Sequence, residues 1–176
     1  MTELRIRTAT LADIPAITAI YGAAVTGGTA SFELDAPDAA EMQRRWQAIR
    51  DAGFPYLVAE QGGVVSGYAY VSQYRPRPAY GYSVENSIYV APDAHRSGVG
   101  RRLLAALIDA ATAKGYRQMI AVIGDSAQSA SIGLHRRAGF TFVGTIHSVG
   151  YKHGRWLDSV IMQRALGAGD AAPPTG

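Results

Sequence analysis

The segment SIYVAPDAHRSGVGRRLLAALI, residues 87–108, runs from an apolar strand-like stretch through a proline-bearing loop into a long helix, and Gly98-Val99-Gly100 stands at the mouth of that helix. The first N–H groups of a helix lack internal partners and carry the positive end of its dipole. Two glycines placed there leave the backbone bare enough for an anion to approach it. Arg96, Arg101 and Arg102 form the densest basic cluster of the chain at the same place. A basic cluster at a helix mouth favours a small phosphorylated ligand over a nucleic-acid duplex, and the net charge of +3 is too small to argue otherwise. The pattern is neither GxxxxGK[ST] nor GxGxxG. Taken alone, the glycine pair reads first as plain turn residues.

The surrounding pattern places this loop in an α/β chain. LRIRTA at 4–9 alternates like a strand, and Thr10 with Asp13 resembles a capping box opening a helix over 11–25. Pro37 reads as a first-turn proline of a helix over 37–52 whose Met42, Trp46 and Ile49 share one face. YLVAE at 56–60 and VVSGYAYVSQY at 64–74 flank a glycine turn and predict a hairpin. A strand near 82–90, a helix near 99–114, a strand at 117–123 and a helix near 126–138 follow, then two strands joined by the turn KHGR. The order β-α-α-β-β-β-α-β-α-β-β mixes a meander with one strand–helix–strand unit. It predicts a single three-layer α/β domain with a mixed, mostly antiparallel sheet and helices on both faces.

With 176 residues, 48% of them hydrophobic and 18% charged, the chain suits one globular domain over 1–166, and GAGDAAPPTG at 167–176 reads as a flexible tail. No apolar run reaches the roughly 18–20 residues of a membrane span, and the N-terminus lacks the apolar core of a signal peptide, so a cytoplasmic location and no membrane partner are expected. The absence of cysteine removes disulfides, thiolate metal sites and a cysteine nucleophile. No metal ligand set is assigned.

His95-Arg96-Ser97-Gly98-Val99-Gly100 resembles the acetyl-CoA signature of the GNAT acetyltransferase superfamily, in which Gln or Arg, two free positions, Gly, one free position and Gly or Ala follow in order. His95 departs from the usual Gln or Arg. The resemblance extends over 4–166, and TASFE at 29–33, RPRPAY at 75–80, VENSIYV at 84–90, GDSAQSASIGLHRRAGF at 124–140 and YKHGRWLDSVIMQ at 151–163 look like the branch that acetylates phosphinothricin, methionine sulfone and methionine sulfoximine. It implies a GNAT-like fold, acetyl-CoA as co-substrate, a small-molecule amine acceptor and a homodimer, which the apolar C-terminal strand VIMQRAL also suggests. It implies that Arg96, Ser97, Gly98, Val99, Gly100 and Arg101 hold the pyrophosphate of coenzyme A.

Acetyl transfer from a thioester to an amine needs a neutral amine, donors for the developing oxyanion and a proton for the departing thiolate. Without cysteine or a visible Ser-His-Asp pattern, direct attack in a ternary complex is the economical route. Glu85 lies in a strand, where a carboxylate is unfavourable unless it meets water or a partner, and it aligns with the family's acidic residue; it is the expected general base, through water. The resemblance makes Ile88, Tyr89 and Val90 the strand whose amides meet the acetyl carbonyl and pantetheine. At 100° per residue the helix 126–138 turns Ala127, Ala130, Leu134 and Ala138 to the core and sets Gln128, Ser131 and His135 in a polar stripe beside them. Gln128 and Ser131 are expected along the pantetheine arm. His135 is either the proton donor to the thiolate or a structural histidine. Arg75 and Arg77 are either a carboxylate clamp or solvated loop charges. Phe32, Tyr80, Asn86 and Ser87 complete the expected acceptor pocket, and Tyr82 is a further candidate wall. His153 and Trp156 carry no role. Two rivals remain open: an acetyltransferase for another amine, such as a polyamine or a protein N-terminus, and a non-catalytic coenzyme A sensor.

Overall fold

Side chains in β2 (Tyr56–Gln61), β3 (Val64–Gln73) and β4 (Ser83–Val90) alternate between two apolar surroundings, as a strand's twofold repeat requires. Tyr56, Val58 and Tyr68 pack with Ile17, Tyr21, Val25, Met42 and Trp46 on one face. Ala59, Ala69, Val71 and Val84 pack with Leu103, Leu104, Leu107 and Ala111 on the other. The first set comes from α1 (Ile14–Gly27) and α2 (Ala39–Asp51), and the second from α3 (Val99–Ala113). The sheet is thus covered on both faces, giving the three layers expected. The structure is a computed structural model that describes residues 3–174.

β1 (Leu4–Thr8) lies outside β2, and β5 (Gln118–Gly124), β7 (Arg155–Ala165) and β6 (Thr141–Lys152) extend the far side, in the order β1-β2-β3-β4-β5-β7-β6. Among the described residues the β4–β5 pair is parallel and every other neighbouring pair is antiparallel. The short helix α4 (Ser129–Arg137) connects β5 to β6.

Several boundaries move for local reasons. The first helix begins as a 3-10 turn over Leu11–Asp13 and becomes α-helical only at Ile14, because the Asp13 carboxylate accepts from the Thr10 N–H at 2.7 Å and from both terminal nitrogens of Arg7 at 2.8 Å. Pro37 is not in the first turn of α2: Asp38 caps it, accepting from the Glu41 N–H at 2.8 Å, and the proline precedes the cap. The last helix starts at Ser129 and not at 126, since Asp125 takes a left-handed φ of 74° and its carboxylate and carbonyl hold the Ala127 and Gln128 amides in a turn. Residues 167–174, expected to be loose, follow β7 in turns whose Gly169 and Ala172 carbonyls accept from Arg117 at 2.8 and 2.6 Å.

Candidate active site

β4 and β5 run together from Ser83–Gln118 to Asn86–Ala121 and then part. β4 continues against β3 to Val90, and β5 continues against β7 to Gly124, so a wedge opens inside the sheet. The backbone direction on β4 follows from its flanks. The Ala91 N–H donates to Ser66 on the β3 side, whereas the Tyr82 carbonyl accepts from Arg117 on the β5 side. Strand groups alternate in direction, so the Ile88 and Val90 N–H groups point into the wedge and that of Tyr89 points to β3. The expectation for Ile88–Val90 therefore narrows to two amides. The Tyr89 ring packs against Tyr21 and Tyr68 at 5.0 and 5.3 Å between centroids.

A cavity of about 310 Å³ fills the wedge, and it gathers Phe32, Glu85, Asn86, Ser87, Ile88, Tyr89, Gln128, Ser131 and His135 from the predicted set. Glu85 and Asn86, being consecutive in a strand, stand on opposite sheet faces. Val84, Ile88 and Val90 pack into the α3-side core, so Asn86 shares that face and Glu85 faces the α1 and α2 side with Tyr89. The cavity passes through the sheet from one to the other. Burial raises the Glu85 carboxyl above the ordinary glutamate value, and the nearby Arg75 charge pulls it partly back.

His135 is the buried side chain of α4. Its Nδ1 lies 2.8 Å from the Ser131 carbonyl and its Nε2 lies 3.1 Å from Oδ1 of Asn86, while burial lowers its pKa. Asn86, expected to touch the acceptor, thus has its amide committed to His135 and, through Nδ2 at 3.4 Å, to the Ile120 carbonyl. The helix face also differs from the one expected: Ala127 and Ala130 are exposed, because the helix begins after them or turns them outward, while Ile132, Leu134 and Ala138 meet the core.

At the α3 mouth, Arg96 and Gly98 take φ of 63° and 88° on either side of Ser97. The Ser97 N–H is used within the loop, donating to Ala94 at 3.4 Å. Among the described residues the N–H groups of Arg96, Gly98, Val99, Gly100 and Arg101 have no backbone acceptor, which leaves a concave set of donors at a helix N-terminus. His95, which departs from the signature, sets its Nε2 3.1 Å from the Val90 carbonyl, a contact between the loop and the end of β4. These features fit a pyrophosphate at α3 with an extended arm running toward the Ile88 and Val90 amides.

Four predicted acceptor residues stand elsewhere. Arg77 opens the exposed 3-10 turn Pro78–Tyr80, and Tyr80 packs edge-on against Tyr74 at 5.8 Å, outside the cavity. Arg75 lies over the Tyr74 ring at 5.2 Å and reaches the cavity only through its field on Glu85. Tyr82 also lies outside. Conversely, Ala30, Ser31, Val122, Ile123, Gly124 and Ser159 line the cavity without having been singled out. The loop bearing Ala30, Ser31 and Phe32 is anchored by buried Lys152, whose Nζ donates to the Val25 and Ser31 carbonyls at 2.6 and 2.8 Å. Thr29 donates to Asp125 at 3.0 Å, and Arg155 pairs with the same carboxylate, holding it below the ordinary aspartate range. The signal for these was present in TASFE, GDSAQ and YKHGR, but no local periodicity says which parts of three distant motifs meet.

Residues 6–161 match the family described as Acetyltransferase (GNAT) domain. The phosphinothricin N-acetyltransferase of Alcaligenes faecalis is 54% identical over 162 residues, covering 92% of this chain and 82% of that protein. The L-methionine sulfoximine/L-methionine sulfone acetyltransferase of Pseudomonas paraeruginosa is 44% identical over 169 residues, covering 96% and 98%. The crystal structure of a phosphinothricin acetyltransferase from Sinorhizobium meliloti in complex with AcCoA superposes with a TM-score of 0.95 at 48% identity, covering 99% of this chain and 94% of that one. A family match over most of the chain, relatives of this identity and the wedge, cavity and amide cradle together make the protein an acetyl-CoA-dependent acetyltransferase of the GNAT family.

Proposed function

We propose that this enzyme acetylates the free amine of a small amino-acid analogue, with phosphinothricin, methionine sulfone and methionine sulfoximine as the acceptors its relatives' names suggest. The observation that carries the reading is the parting of β4 from β5 beside Glu85, which joins an acceptor side and a cofactor side through one cavity. Acetyl-CoA supplies the thioester whose C–S bond breaks as the new C–N bond forms. Glu85, on the α1 and α2 side, takes the proton of the acceptor ammonium directly or through water. The Ile88 and Val90 amides receive the negative oxygen and the pantetheine arm. The amides from Arg96 to Arg101 hold the pyrophosphate, Gln128 and Ser131 border the arm, and Ser87 and Phe32 border the acceptor. His135 lies on the cofactor side and, when its ring is cationic, is the group placed to return the Nε2 proton to the thiolate, once Nε2 leaves Asn86. Arg75 supplies positive charge for the acceptor's carboxylate, with Arg77 more remote.

VIMQRAL, expected to present a sheet edge, lies mostly in β7 and is paired on both sides by β5 and β6; a homodimer accords instead with the exposed Phe142, Ile146, Val149 and Tyr151 of the edge strand β6 and Trp156 beside it. Among the described residues no helix is long and apolar enough to cross a membrane, and the proposed location is the cytoplasm, which holds acetyl-CoA. The deciding experiment is thiol release from acetyl-CoA across amino-acid analogues, simple amines and peptides. The amino-acid analogues should be turned over best. Release with polyamines or peptide N-termini alone would move the enzyme to another acceptor class, and no acceptor-dependent release would make it a coenzyme A sensor.

A further inference from the structure

Phe32 is the aromatic wall of the acceptor side, and its ring lies against two glycines. A Cβ built on Gly124 of β5 would lie 2.8 Å from Cε1 of the Phe32 ring, and one built on Gly150 of β6 would lie 2.5 Å from Cε2 and 2.7 Å from Cδ2. The two edges of the ring therefore rest on two glycines, one on either side of β7. The ring's own backbone is not free to yield. Lys152 holds the Ser31 carbonyl, the Glu33 N–H donates to the Ser31 hydroxyl at 3.1 Å, and Thr29 is tied to Asp125.

We infer that Gly124 and Gly150 are specificity-determining positions: by leaving room for the Phe32 ring they fix one wall of the acceptor pocket, and so the size of acceptor side chain the enzyme accepts. Neither glycine is needed here for its backbone freedom, since neither has a left-handed φ; what each supplies is the missing methyl. Gly150 is the cleaner test. The three atoms nearest a methyl there all belong to the Phe32 ring, whereas one on Gly124 also lies 2.6 Å from the Thr29 carbonyl and forces backbone to move.

The inference rests on the acceptor reading above, and its test separates the two. Wild-type turnover across the acceptor panel judges that reading. The inference is judged on whichever acceptor the wild type prefers, by comparing wild type, Gly150→Ala, Phe32→Ala and the double variant. Displacing the ring by an ångström should raise the acceptor KM of Gly150→Ala about 10- to 100-fold, the scale on which small misplacements act, change the ranking of acceptors by side-chain length, and leave the acetyl-CoA Kd within about twofold. In the Phe32→Ala background the added methyl should have no further effect, because no ring remains to be displaced. An unchanged acceptor KM and ranking in Gly150→Ala would overturn the inference. So would an equal loss with and without Phe32, which would mean that β6 itself had moved.

Discussion

Oδ1 of Asn86 lies 3.1 Å from Nε2 of His135, while the ring's other nitrogen faces the Ser131 carbonyl at 2.8 Å. A carbonyl only accepts, so Nδ1 carries a proton. With Oδ1 toward it, Nε2 must carry one too, which makes the ring a cation that burial opposes. Turning the Asn86 amide over would present its NH2 to a neutral ring, at the cost of the Nδ2 hydrogen bond to the Ile120 carbonyl. The charge of His135 and the orientation of Asn86 are thereby coupled, and the coupling reaches the cavity that both residues line.

This predicts that the His135 pKa, followed by NMR of the ring, lies below the ordinary histidine value and rises in Asn86→Asp, where a carboxylate favours the cation. A leaving thiol with an ordinary pKa of about 8.5 can depart with water's help, so His135→Ala should reduce kcat less than Glu85→Gln and leave acetyl-CoA affinity nearly intact. The reverse ranking would make the histidine the base.

Glu85→Gln should lose activity and gain stability together. General base catalysis is worth about 10²- to 10⁴-fold, and kcat should fall within that range, with partial rescue at higher pH. The stability sign follows from the raised carboxyl pKa. Below the unfolded-state value the residue is protonated in both states and nothing is lost; as pH rises through the folded-state value, folding must hold a buried charge and stability falls. Glutamine stays neutral throughout. The variant should therefore melt higher than wild type at pH 7 and equally at pH 4 or below, by calorimetry.

Arg75→Ala should move the acidic limb of the kcat/KM profile upward. The arginine charge lowers the Glu85 pKa against the effect of burial, so its removal leaves burial alone to act. If Arg75 also faces the acceptor's carboxylate, KM for amino-acid analogues should rise while KM for simple amines should not. A limb that stays in place would separate Arg75 from Glu85 in solution.

The layered fold was readable because strands with a twofold repeat and helices with apolar faces such as Met42 and Trp46 encode their burial locally. That Glu85, Ile88 and His135 meet at one cavity, with Gly98 at the α3 mouth, was readable because they sit in one strand, one loop and one helix whose motifs are contiguous. Tyr80 and Arg77 stand outside the cavity lining, in and before an exposed 3-10 turn that no periodicity of the sequence announces. Lys152, Gly150 and Asp125 escaped notice because their partners, Ser31, Phe32 and Thr29, are about a hundred residues distant. Only the folded chain shows that β6 and the loop after α1 touch.

Gly98 should be intolerant of a β-branched side chain. Its φ of 88° is left-handed, and nothing lies within 4 Å of an added Cβ, so the cost in the free protein is backbone strain, of about 1–2 kcal/mol. The same side chain would project where the unpaired amides meet pyrophosphate. Gly98→Val should raise the acetyl-CoA Kd at least about tenfold by calorimetry, the equivalent of one lost charge-assisted hydrogen bond. Gly100→Ala is the contrast: its Cβ makes ordinary contacts with Leu134 and Val90 at 3.5 and 3.6 Å, and helix propensity adds about 0.5–1 kcal/mol of stability.

Lys152→Met should weaken the fold and the acceptor site at once. The ammonium is buried, has no carboxylate within ion-pair distance among the described residues, and spends its donors on the Val25 and Ser31 carbonyls. Val25 belongs to the last turn of α1, whose carbonyls have no helical partner, so methionine keeps the stem's packing but strands both oxygens. A buried acceptor left unpaired costs about 1–3 kcal/mol, and relief from burying the ammonium offsets part of the sum; a net loss of about 2–4 kcal/mol should lower Tm by roughly 5–15 °C in a chain of this size. The loop from Thr29 to Phe32 would lose its anchor to β6, while α3 and its amides would not. Acceptor KM should therefore rise with the acetyl-CoA Kd held, and a variant that melts lower but keeps its acceptor KM would show that Lys152 serves the α1 terminus alone.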